Sequence, residues 1–133
     1  MLNWKLNNGY TLTEVTVVLI VIGVLASFGL PKYMASVEKS RSGEGVQILT
    51  ALLNAQKALQ QSTGSYTSSL NALEITIPQP RYFNAPPTVS TNVSSLASIV
   101  SINNGGYTLT IDQNGAVTCA DGTTTGICQK LGY

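Results

Sequence analysis

The sequence predicts an α+β fold: a long kinked N-terminal helix, membrane-spanning in its first half, packed through its second half on a small antiparallel sheet. Three observations predict it. Val15 to Leu30 is almost wholly apolar, interrupted only by Thr16, Gly23, Ser27 and Gly29. Ile48, Leu52, Ala55 and Leu59 then recur at spacings of four, three and four, a helical stripe. Near the C-terminus, YTLTI at 107–111 alternates apolar and polar residues between two turn-forming stretches, as a half-buried strand does.

The totals narrow the function classes. A chain of 133 residues holds one modest domain, and the apolar run takes part of that length. The soluble remainder buries a limited core and needs a covalent staple or neighbours. Charged residues are 10% of the chain, against roughly 25% in soluble domains, and the net charge is +1. There is no polybasic footprint and no acidic tail, so no nucleic-acid partner is expected. Without histidine, the usual Ser-His and Cys-His nucleophile pairs cannot form. No phosphate-cradling glycine loop appears either. No catalytic residue, cofactor or resident metal is expected.

Met1 to Gly9, MLNWKLNNG, is short and polar with one lysine. A secretory signal would open on a basic cluster and close on an A-x-A-like site; this chain has neither. From Tyr10 to Leu30 a helix would span about 30 Å, one hydrocarbon thickness. Glu14 sits at the front edge of that span, where carboxylates are rare and usually functional. Pro31 lacks an amide donor and is expected to kink or interrupt the helix. SRSGEG at 40–45 is a poor helix former. The reading is nonetheless one long helix, amphipathic to about residue 63 and stopped at Gly64.

Residues 64–96 read as a variable loop. IPQPRYFNAPP, Ile77 to Pro87, carries every proline beyond Pro31 and cannot be a central strand. Residues 97–133 read as a sheet and a cystine loop, with turns at NNGG and DQNG. Tyr107, Leu109 and Ile111 share the face that meets the Ile48–Leu59 stripe. Cys119 and Cys128, the only cysteines, follow a membrane-entering segment and read as a disulfide in an oxidising compartment. A metal pair lacks support, with no histidine and no second cysteine pair. Asp112 and Asp121 make a thin calcium site, and turn duty is the commoner role for them. Tyr33, Tyr66, Tyr107 and Tyr133 read as core or subunit-contact residues.

With these residues laid out, GYTLTEVTVVLIVIGVLASFGLPKY resembles the N-terminal signature of type IV pilins and type II secretion pseudopilins. Glycine, an aromatic residue, T-L-T-E, a long apolar run with an internal glycine, and a proline occur in the family's order. The close match covers about a fifth of the chain. The resemblance implies that Gly9 ends a leader, residues 1–9, removed by a prepilin peptidase. Tyr10 would then be the mature, N-methylated terminus. Glu14 would be the assembly residue, meeting the amino terminus of a neighbour. Residues 10–31 would form the membrane and filament-core helix, loosening around Gly23, Gly29 and Pro31. Residues 32–133 would form the head.

Two features depart from the family pattern. The leader carries only Lys5, while Lys32, Lys39 and Arg41 lie beyond the span, so a count of basic residues favours the opposite orientation. The cleavage signature is the more specific signal and overrides that count. Thr13, just before the glutamate, is more polar than the isoleucine often found there. The expected function is a structural type IV pilus subunit, not an enzyme. Its expected partners are the membrane before assembly, prepilin peptidase, inner-membrane assembly machinery and identical subunits in a helical filament. It would pass from the bacterial inner membrane to an extracellular pilus, or to a periplasmic pseudopilus if it is the major pseudopilin of a secretion system. The alternative from another class is a single-pass anchored binding module that never polymerises.

Overall fold

The computed structural model describes residues 9–102 and 106–133. Most of the expected leader (1–8) and of the NNGG turn (103–105) lies outside the described residues. The chain divides into two units, one ending at Met34 and the other running Ala35–Tyr133.

Helix α1, Leu12–Thr63, contributes to both. In the first unit every residue from Gly9 to Met34 is exposed, including all the large apolar ones. A helix satisfies its own backbone hydrogen bonds, so such a segment suits lipid without further partners. Pro31 lies inside α1 and supplies no N–H to the Ser27 carbonyl four residues back. The Ser27 hydroxyl in turn donates to the Gly23 carbonyl at 2.8 Å.

In the second unit, α1 lays Ile48, Leu49, Leu52 and Leu53 on the core. It runs without a break through SRSGEG, and packing explains why poor helix formers stand there. A Cβ on Gly45 would come within 2.6 Å of the Phe83 ring. Ser42 is buried and satisfies its hydroxyl on the Lys39 carbonyl at 2.8 Å. Small residues let the 81–83 segment close onto the helix. At the far end Gly64 takes φ +82 and donates to the Gln60 carbonyl at 2.8 Å, stopping α1 as expected.

Four antiparallel strands follow: β1 Thr88–Val89, β2 Ala97–Val100, β3 Thr108–Ile111 and β4 Val117–Ala120, in sheet order β1-β2-β3-β4. Ala97 pairs with Ile111 and Ile99 with Leu109, so all four inward residues meet on one face. Tyr107, Leu109 and Ile111 are buried together, as the alternation predicts.

Two expectations need correction. The 64–96 segment is not all loop: it holds a 3-10 turn at Leu70–Leu73 and the edge strand β1. The sheet therefore begins at residue 88. Pro86 and Pro87 precede this two-residue strand, and an edge is where missing amide donors cost least. The C-terminal tail, expected only as a cystine loop, contains helix α2, Ile127–Leu131. Its start is held by Asp121, whose carboxylate accepts the N–H of Gly126 at 2.6 Å and of Cys128 at 2.8 Å. The expected disulfide, Cys119–Cys128, ties β4 to α2 with Cα atoms 5.6 Å apart.

One polar residue on the α1 stripe escaped the pattern. Gln56 is fully buried, donates to the Thr67 carbonyl at 2.6 Å and accepts the Thr67 N–H at 3.0 Å. The amide thereby replaces a backbone partner and fixes the returning chain on the helix.

Candidate assembly site

The residues that would carry cleavage and assembly stand where the chain enters α1. Gly9, Tyr10 and Thr11 precede the helix and are exposed. A Cβ on Gly9 would meet nothing within 4 Å. The fold itself does not require glycine there.

Glu14 does not hang free at the helix start. The Thr11 N–H and the Thr11 hydroxyl each donate to its Oε2 at 2.7 Å. The Glu14 N–H returns to the Thr11 hydroxyl oxygen at 3.3 Å. This is a reciprocal capping box: Thr11 is the N-cap and Glu14 the third helical residue. The Thr11 hydroxyl has one proton, already given to Glu14, so in the 3.0 Å contact between the two hydroxyls Thr13 is the donor. Thr16 closes the turn on the Thr13 carbonyl at 2.9 Å. Both described donors to Glu14 fall on Oε2. The T-L-T-E string contained this signal, a threonine three residues before an acid ahead of an apolar run. Thr11 is the residue that the reading missed.

Farther along α1, Gly23 and Gly29 also meet nothing within 4 Å of an added Cβ. Together with Pro31 they are exposed. Cys119 and Cys128 belong to the second unit.

A second polar cluster went unseen in sequence. Glu38 is only 4% exposed, accepts the Tyr107 hydroxyl at 3.2 Å and pairs with Arg41 at 3.2 Å. Arg41 lies 5.1 Å from the centre of the Tyr82 ring. Burial, and then the Glu38 charge, push the Tyr107 hydroxyl up to about 12. Glu44 accepts the N–H groups of Arg81 and Tyr82 at 2.9 and 3.0 Å. Glu38, Arg41 and Glu44 thus hold sheet and loop on α1, and Glu44 also borders the space between α1 and residues 75–80.

The two aspartates considered for calcium serve turns. Asp112 accepts the N–H groups of Asn114 and Ala116 at 2.9 and 2.8 Å, as Asp121 does at α2. These hydrogen bonds hold both carboxyls below the usual range. No group of three metal-ligating side chains occurs among the described residues.

Comparison with known proteins finds relatives of two kinds. The chain is 31% identical over 80 residues to the type II secretion system core protein G of Vibrio cholerae, covering 60% of this chain and 55% of that protein. It is 31% identical over 67 residues to the type IV major pilin protein PilA of Myxococcus xanthus, covering 50% of this chain and 30% of the relative. Against the type IV major fimbrial protein FimA of Dichelobacter nodosus it is 38% identical over 48 residues, covering 36% and 30%. The chain spans about half the length of the core G proteins it matches. No family model matches it.

Proposed function

Starting from a chain homologous to type II secretion core protein G and to type IV pilins, we propose that it is a structural subunit of a type IV pilus filament. One observation carries this reading: every residue from Leu12 to Met34 is exposed on a helix long and apolar enough to cross a membrane. A large apolar side chain gains about 1.5–3 kcal/mol on burial. The segment therefore needs lipid first and like segments later.

In this reading residues 1–9 are the leader, cut after Gly9 by prepilin peptidase, and Tyr10 becomes the N-methylated terminus. Residues 10–31 sit in the inner membrane before assembly and in the filament core afterwards. Residues 32–133 form the outer wall. Inner-membrane machinery drives the transfer, and the product lies outside the cell.

Glu14 sets the register. An ionised carboxylate within a span costs about 2.5–3.5 kcal/mol, less near its edge. An ammonium about 4 Å away returns around 4 kcal/mol at an effective dielectric near 20. A neighbour's Tyr10 amino group thus offsets the penalty, while the Thr11 cap holds the carboxylate in place. Gly23, Gly29 and Pro31 loosen the helix between lipid and head, where the Ser27 carbonyl already lacks its helical donor. Glu14→Ala is expected to leave cleavage and protein level normal and to abolish sheared fibres. Fibres in normal amount would remove Glu14 from assembly.

A second reading is the major pseudopilin of a type II secretion system. The longer matches favour it, since core G proteins align over 54–60% of this chain and the pilins over 36–50%. Cell fractionation separates the two. Sheared surface fibres containing the chain support the pilus; envelope retention with loss of protein export on deletion supports the pseudopilus.

A further inference from the structure

Ile75-Thr76-Ile77 is β-branched throughout, the residue type that favours strands, yet it takes no place in the sheet. Ile75 and Ile77 lean on the core while Thr76 is exposed, the alternation of an extended segment. Among the described residues, its backbone groups bond to no other backbone group outside the helices and strands. Space lies on both sides of it. A cavity of ≈ 480 Å³ separates it from Gln47, Ile48 and Ala51 of α1. Another of ≈ 530 Å³ lies against residues 85–87. Glu74, just before it, holds φ +49, a left-handed conformation uncommon outside glycine, and turns the chain into this course. Pro78 ends the run of available amides.

A matching edge lies elsewhere on the same unit. β4 is the last strand of the sheet. The Asp112 N–H bonds the Ala116 carbonyl at 3.1 Å, and antiparallel pairing alternates from there. The backbone groups of Thr118 and Ala120 therefore face β3, and those of Val117 and Cys119 point away from it. Ile75 and Ile77 border the same space as Ala85, Pro86 and Pro87, which lead into β1 at the other end of the sheet. Neither segment carries a charge that would repel the other.

We propose that Ile75–Ile77 is the docking strand for β4 of a second copy of this chain. The pairing rests on the filament reading above and gives it a lateral contact between heads. An unpaired strand edge is a template for another chain. Two unlike edges on opposite flanks make a contact that is not self-complementary, and such contacts propagate instead of closing. The pairing is short, three residues at most, so it sets register between heads while the N-terminal helices supply cohesion.

Amide hydrogen exchange, compared between sheared filaments and detergent-extracted protein, tests this. Exchange at Ile75, Thr76 and Ile77, and at Val117 and Cys119, is expected to slow by at least about tenfold in filaments. A photo-crosslinking residue at position 76 is expected to give adducts to residues 116–120 of a second copy. Unslowed exchange in intact filaments, or adducts only to another region or another protein, overturns the docking and leaves the filament reading standing. A chain that forms no filament at all overturns both.

Discussion

Gly45 and Tyr107 show how single residues hold the head on its helix. A Cβ at Gly45 would stand 2.6 Å from the Phe83 ring, whereas one at Gly43 would meet nothing within 4 Å. Gly45→Val is therefore expected to destabilise the detergent-solubilised protein by about 1–3 kcal/mol in denaturant unfolding. Gly43→Ala, two residues away, should hold or raise stability by up to about 1 kcal/mol. Equal losses at both positions would show that the Phe83 contact does not matter. Titration adds a second test at this scale. Tyr107 is pushed up to about 12, so its contribution is full below the unfolded value of about 10. It is lost as pH rises from there towards 12. Asp112 and Asp121 are depressed by backbone N–H donors, so their contribution is present above about pH 3.9. It falls away as pH drops through their folded values. Near-UV circular dichroism against pH should show both limbs. Asp121→Asn should flatten the acid limb and Tyr107→Phe the alkaline one.

The elements differ in how much of them the sequence announces. α1 was legible because its pattern is long: an apolar run, then a stripe from Ile48 to Leu59, then Gly64. β3 was legible because YTLTI alternates and is bounded by turns. α2 was not, because five residues carry too little periodicity and its start depends on Asp121 reaching across the cystine loop. β1 was hidden by Pro86 and Pro87, and only its pairing with Ala97 and Ser98 makes it a strand. Glu38 and Gln56 were missed for the same reason, since their partners lie at Tyr107 and Thr67, far along the chain. At the candidate assembly site Gly9, Tyr10 and Glu14 were named from a local string. Thr11 was overlooked although its capping signal was equally local. Two predictions belong here. Replacing both cysteines by serine opens a link of sequence separation 9 and should cost about 2.5–3 kcal/mol in urea unfolding. Gln56→Ala leaves the Thr67 N–H and carbonyl without their partner and should cost about 1–3 kcal/mol. A smaller loss would mean that water replaces the amide.

At the scale of the molecule, one chain contains a unit whose described residues are all exposed and a unit with a small core of its own. The first has meaning only in company, in lipid or among copies. The second has a core of its own, and in the proposed filament it forms the outer wall. That division is what the proposed subunit needs, and it hinges on a cut that frees the amino group of Tyr10 for a neighbour's Glu14. Mass spectrometry of the N-terminal peptide, on protein taken from the cells that make it, tests this most directly. The account predicts a chain beginning at Tyr10 with one added methyl on its amino group. A mature chain still carrying residues 1–9, or cut at any other bond, would contradict it.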